Sequence, residues 1–256
     1  MAPWRRAVLT MMPTGYGLWA LVGTALALNL RLNGRGEVLV PLGLGLVMIV
    51  LGGMVTLPGI GGWQMRLRAR PGLGAMLGLL TFLPMLAVGG LARGSNEFWA
   101  TRLFAAAMTA CAVLTLLVAS APAANRAPPA STQPRPGAVM GALFSGGQWL
   151  WASLALQGPS SPSGHVDLSL LGLLLLGVAF GLLSLDPPVG PALLRRGPGC
   201  LLAAGLMFIV PCMLLVIAST LDERATLALA SAISCQAGMA LRALLVDDTR
   251  GAVPQA

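Results

Sequence analysis

Along this chain, apolar stretches about as long as a bilayer is thick alternate with short segments rich in Arg, Pro and Gly. A helix that crosses the hydrocarbon core needs about 20 mostly apolar residues. The pattern predicts eight such spans, at 7–30, 38–58, 73–92, 100–121, 138–157, 168–185, 200–220 and 225–246. They leave no room for a soluble domain. The expected fold is all-α: a polytopic integral membrane protein of about eight transmembrane helices. The longest connection, 122–136, is studded with prolines that forbid a continuing helix. It is expected to divide a single transmembrane domain, 1–256, into two four-helix halves, 1–121 and 137–256. No residue-level repeat relates the halves, so the pattern lends no support to an inverted-repeat transporter. The first span follows Trp4-Arg5-Arg6 and contains Ala25-Leu26-Ala27, like a secretory signal in outline. Its apolar run is longer than a signal peptide's, and it is expected to remain as a helix.

Composition agrees with residence in lipid. Charged residues make up 9% of the chain and apolar ones 56%, whereas soluble domains carry roughly a quarter charged residues. Every basic residue is an arginine and the formal net charge is +8. Long apolar runs separate those arginines, so no compact basic patch with interleaved aromatics suggests nucleic acid. Their placement speaks to topology, because positive charge is retained on the cytoplasmic side of bacterial inner membranes. Arg5, Arg6, Arg66, Arg68, Arg70, Arg126, Arg135, Arg195, Arg196 and Arg250 fall on one side of the predicted spans. Only Arg31, Arg35, Arg93, Arg102 and Arg224 fall on the other, which predicts cytoplasmic termini.

The same composition limits chemistry. His165 is the one histidine, so paired imidazole ligands for a membrane haem are not encoded. Cys111, Cys200, Cys212 and Cys235 are dispersed, without C-x-x-C spacing, and read as packing residues rather than metal ligands. No metal or prosthetic group is expected on this chain. No carboxylate is expected deep in a span, which weakens an ion-coupled carrier built on a buried acid.

A few polar groups stand out. Gln148 and Gln236 lie within apolar runs, where each amide needs a partner on another helix or a ligand such as a quinone carbonyl. Trp149 and Trp151 suit either anchoring at the headgroups or stacking on a ring. Arg242 sits in the last span, within reach of the interface by snorkelling. The stretch Gly59–Pro71 contains Trp63, Gln64 and then Arg66, Arg68 and Arg70 at alternate positions. It would form a cationic rim attractive to acidic lipid or to a partner subunit. Glycine pairs such as Gly74/Gly78, Gly137/Gly141 and Gly177/Gly181 suit close helix contacts. Pro84 and Pro211 are expected to kink their helices.

Eight spans, an arginine-bearing loop after the second, and a closing helix reading Cys235-Gln236-Ala237-Gly238-Met239-Ala240-Leu241-Arg242 resemble the membrane-anchor subunit family of dimethyl sulfoxide reductase. The family carries an Ala-Gly pair and an arginine spaced as Gly238 and Arg242 are here, and Met65-Arg66 after glycines resembles its loop. The resemblance implies an anchor for an iron–sulfur subunit and a molybdopterin subunit, binding quinol or menaquinol and passing its electrons onward. Arg66, with Gln64 and Trp63, would flank the quinol pocket, and Gln236 and Arg242 would line its wall. The family's histidine before the loop and glutamate early in the third span have no counterpart: Pro58-Gly59-Ile60 and the Gly74–Phe82 run stand there instead. A quinol's protons need a titratable group in reach, and arginine stays ionised. Glu97 or a water path would have to substitute, or the chain binds and anchors without oxidising quinol. The other readings from sequence are a structural or assembly protein that scaffolds another membrane complex, and a small-solute transporter.

Overall fold

The computed structural model describes residues 3–30, 32, 34–56, 73–92, 98–120, 136–157, 172–180, 198–220 and 224–251. No strand occurs among them. The helices are α1 (Pro3–Leu9), α2 (Met11–Ala27), α3 (Arg35–Thr56), α4 (Leu73–Leu80), α5 (Phe82–Leu91), α6 (Trp99–Ser120) and α7 (Pro136–Ala155). They continue as α8 (172–180), α9 (Pro198–Ala204), α10 (Val210–Thr220) and α11 (Arg224–Gly251), with a π-helical turn, Gly205–Ile209, between α9 and α10.

Five runs among the described residues are long and apolar enough to cross a membrane: Arg35–Val55, Leu73–Leu91, Trp99–Ser120, Leu201–Ala218 and Arg224–Leu245. This chain is an all-helical, multi-pass membrane protein. The two innermost helices are not among those five, for a physical reason. α2 has 17 residues, and α7, with 20, carries Ser145, Gln148 and four glycines at 137, 141, 146 and 147. Neither exposes a large apolar side chain within its bounds; those side chains crowd the outward faces of α3 to α6 and α8 to α10. A helix surrounded by other helices rather than lipid tolerates polar and small residues, and uses them to pack.

Several pairs of helices in contact run antiparallel. Gly15 lies against Gly45 and Ile49, and Gly52 against Met12, so α3 runs opposite to α2. Gly23 faces Ala105 and Thr109 on α6, and Gly74 faces Val118, which reverses α6 relative to both α2 and α4. In the second part of the chain, Gly147 meets Leu173 and Gly141 meets Phe180, while Gly199 meets Leu245 and Gly238 meets Met207. α8 therefore opposes α7, and α11 opposes α9–α10. As a result α1 and the last turns of α11 share one end of the bundle, where α1 packs on α11.

Prolines decide where the helices break. A proline offers no N–H to the carbonyl four residues back and its ring crowds that carbonyl. Pro13 follows the turn at Thr10 between α1 and α2, and Pro84 follows the turn at Thr81 between α4 and α5. Pro211 follows the π turn, in which the Val210 N–H donates to the Gly205 carbonyl five residues back. Pro41, six residues into α3, breaks nothing. At its other end α2 closes on Asn29 at φ 55°, with Leu30 N–H donating to Ala25 O (2.8 Å) and Asn29 N–H to Leu26 O (3.1 Å). This is the left-handed cap that asparagine tolerates best after glycine.

Two apolar cores result. One gathers Leu18, Trp19, Val22, Val38, Met85, Val88 and Met108 around α2; the other gathers Phe144, Phe180, Met207, Leu215 and Cys235 around α7 and α11. α7 contributes to both, through Val139 and Ala142 on one side and Phe144 and Trp151 on the other. Trp19 is fully buried, donating from Nε1 to Leu42 O at 2.9 Å and meeting Phe82 edge-on at 5.1 Å.

Candidate functional site

The most concentrated polar chemistry lies where α1, α2, α7 and α11 meet. Thr10 ends up there because Pro13 interrupts the helix at that residue, and its hydroxyl, donating to Ala7 O at 2.7 Å, also accepts from Gln236 Nε2 at 2.9 Å. One turn further, the Thr14 hydroxyl reaches Gln236 Oε1 at 3.1 Å and Ser145 Oγ at 3.3 Å. Ser145 also reaches Gln236 Oε1, at 3.3 Å. Thr14 and Ser145 are fully buried and Gln236 is 8% exposed. This knot ties α2, α7 and α11 to the turn that follows α1, and both ends of the Gln236 amide are engaged in it. The backbones there are nearly in contact: a Cβ at Gly17 would strike the Ala142 carbonyl, and one at Gly146 the backbone of Leu18.

A second polar step lies deeper between α7, α10 and α11. Ser231 donates to Gln148 Oε1 at 2.7 Å and approaches Pro211 O at 3.5 Å, and Ser234 donates to Leu206 O at 2.9 Å. The α11 serines thus serve one carbonyl within the proline-induced π turn and one just after it, and Gly238 lets α11 lie against that turn's backbone, 2.6 Å from a hypothetical Cβ to Met207 N. Gln148 is fully buried, yet its Nε2 has no hydrogen-bond partner, nor has the neighbouring Trp149 Nε1.

Of the residues singled out from sequence, Gln236 and Gln148 are both buried and bonded between helices. For Gln236, one of the two Nε2 hydrogens goes to Thr10, which leaves a single N–H for any ligand carbonyl. Arg242 is exposed on α11, six residues beyond Gln236. Trp63, Gln64, Arg66, Arg68 and Arg70 lie outside the described residues, as do Glu97 and His165. Trp149 is half-buried between the two cores and Trp151 is buried in one of them. Glu37, placed by the sequence in the connection before the second span, is buried in the first turn of α3, 7% exposed. Cys111, Cys212 and Cys235 are free thiols, and among the described residues no three His, Cys, Asp or Glu side chains converge. A groove of about 280 Å³ lined by Leu174, Cys212, Met213, Val216 and Ile217 is apolar throughout.

Thr10, Thr14, Ser145 and Ser231 carry no comparable signal in the sequence. Hydroxyls of this kind are common in apolar helices because they can bond their own backbone, as Thr24, Thr81 and Thr115 do here. The usable signal is the glutamine, whose amide must find partners. No family model matches the chain, and neither curated proteins nor solved structures provide a match.

Proposed function

We propose that this chain is the membrane-anchor subunit of a respiratory molybdoenzyme complex, binding quinol and passing its electrons to an iron–sulfur partner subunit. In this reading the bundle crosses a bacterial inner membrane eight times, with both termini cytoplasmic and a proline-rich linker between two four-helix halves. The antiparallel helix pairs support that topology. The observation that carries the anchor reading is the Thr10–Thr14–Ser145–Gln236 knot at the α2–α7 contact. Its polar atoms are spent on fixing helices to one another, which makes a rigid support rather than a moving carrier.

Quinol would dock at the end where the Arg66, Arg68 and Arg70 loop leaves α3, with Trp63 and Gln64 beside it. Support for that end is the approach of Gly52, late in α3, to Met12, and the exposure of Arg242 on α11, beyond Gln236. Bound quinol supplies electrons, and the arginines would orient its oxygens without taking their protons. Phe98, next to Glu97 in the chain, caps the start of α6 at the opposite end, so water or the partner subunit is the proton acceptor in this scheme. The experiment is to purify the tagged full chain from its native membrane and assay molybdenum, iron and quinol oxidation. Arg66→Gln should lower quinol oxidation while leaving the complex assembled; isolation of the chain without metal-bearing partners would overturn the reading.

A scaffold for another membrane complex is the second reading. Gly43 and Gly90 favour it: both face outward, and a Cβ at either would meet nothing within 4 Å, leaving room for a foreign helix to approach.

A further inference from the structure

The start of α6 carries a positive charge excess that no group of the described chain balances. Arg102 stands in the second turn of a 22-residue helix whose first turn has no acidic residue. A helix N-terminus holds about half a positive charge, so an arginine there is unfavourable unless an anion joins it. Arg102 is half-buried, and its Nε–H is buried with no hydrogen-bond partner. One residue earlier, Thr101 is 1% exposed and its hydroxyl is also without a partner. Phe98, in the capping position, accepts from the Thr101 and Arg102 N–H groups through its carbonyl at 3.0 and 3.4 Å. Its side chain has no oxygen to cap the N–H groups of Trp99 and Ala100. Unmet donors and uncompensated positive charge therefore coincide at one helix end.

The neighbouring rings say where this end lies. Phe98 and Trp99 are 53% and 69% exposed and touch each other at 5.8 Å between centroids. Large exposed aromatics at the end of a membrane helix mark the headgroup level. We infer that the α6 N-terminus binds the phosphate of an anionic phospholipid, in the leaflet opposite α1, through the Arg102 guanidinium and the first-turn N–H groups, with Thr101 as a further donor. Backbone N–H groups at a helix start are a ready-made phosphate site, and arginine's planar fork matches phosphate. A lipid is favoured over a free ion because Phe98 and Trp99 would flank its glycerol and upper acyl region. This inference rests on membrane residence alone and not on the anchor reading.

The test reconstitutes the full chain in vesicles of phosphatidylcholine and phosphatidylglycerol containing a trace of photoactivatable phosphatidylglycerol with its reactive group near the headgroup. Crosslinks are mapped by mass spectrometry. They should concentrate at Phe98–Ala106 and fall about fivefold in Arg102→Gln, the loss of one arginine's attraction for an anionic headgroup. Thr101→Val, close in shape and without the hydroxyl, should lower them in the same direction and serves if Arg102→Gln fails to fold. Equal crosslinking in wild type and both variants would overturn the inference. So would full competition by millimolar inorganic phosphate, which would mean a soluble anion and not a lipid.

Discussion

The Thr14 hydroxyl stands 3.1 Å from Oε1 of Gln236, although 222 residues separate the two in the chain. Their bond joins α2 to α11, and the same amide holds Thr10 at 2.9 Å. Replacing Gln236 by leucine keeps the volume roughly constant but leaves the buried hydroxyls of Thr14 on α2 and Ser145 on α7, and the half-buried one of Thr10, with fewer partners. Interhelical hydrogen bonds in membranes contribute about 0.6 kcal/mol on average and up to about 1.7. Because Gln236 holds several, Gln236→Leu is expected near the upper figure and Thr14→Val near the lower, read as unfolding free energy in a mixed-micelle titration. If Gln236→Leu instead left stability unchanged and weakened quinone binding, the amide would be a ligand and not a tie.

Glycines divide into two kinds, and the difference is measurable. Gly17 lies where a methyl group would strike the Ala142 carbonyl, and backbone cannot swing aside as a side-chain tip can. Gly17→Ala should cost about 1–3 kcal/mol, the usual range for overpacking. Gly43→Ala meets nothing within 4 Å, and it should be neutral or stabilise by up to about 1 kcal/mol through the better helix propensity of alanine. Thermal unfolding of the two variants side by side checks the contrast.

Gln148 and Ser231 form a pair whose worth shows only in combination. Ser231→Ala removes the hydroxyl that donates to Gln148 Oε1 at 2.7 Å, while Gln148 Nε2 is already unpartnered. A buried amide with neither end bonded is costly. Ser231→Ala alone should therefore destabilise more than Ser231→Ala made on top of Gln148→Leu. The double-mutant cycle is expected to give a coupling of about 0.5–1.5 kcal/mol.

Much of the helical layout is legible in the sequence because an apolar run bounded by Arg, Pro and Gly is a local signal. The run 73–92 becomes α4 and α5, ending at Leu91, and 100–121 becomes α6, displaced by one residue at each end. The expectation of bends at Pro84 and Pro211 is local too, and the helix breaks at Thr81 and turns π-helical at Gly205–Ile209. What cannot be read is which helices are central. That depends on which glycine faces which carbonyl, as with Gly17 and Ala142, a relation between residues on separate spans. The candidate site is half legible for the same reason. Gln236 stands out as an amide in an apolar run, but Thr10, Thr14 and Ser145 look like any hydroxyl that bonds its own helix. Glu37 reads as a loop residue because nothing in its neighbours signals that the first turn of α3 is covered.

The antiparallel helix pairs make a prediction about sidedness that does not depend on function. α3 ends beside α2's start, since Gly52 meets Met12, and α4 begins beside α6's end, since Gly74 meets Val118. If α4–α5 and α6 each cross the membrane, Gln64 and Asn125 share the side of the N-terminus and Asn96 lies on the other. Single-cysteine variants Gln64→Cys, Asn96→Cys, Asn125→Cys and Ser161→Cys, made in a chain with its native cysteines replaced by alanine, can be probed with a membrane-impermeant maleimide. Labelling from outside intact cells is expected for Asn96→Cys and Ser161→Cys, and only after permeabilisation for Gln64→Cys and Asn125→Cys. The sign of this prediction follows from the arginine distribution, since the more basic set of loops is expected in the cytoplasm. Labelling of Gln64→Cys and Asn96→Cys from the same side would mean that Leu73–Leu91 does not cross, and the eight-crossing arrangement would fall with it.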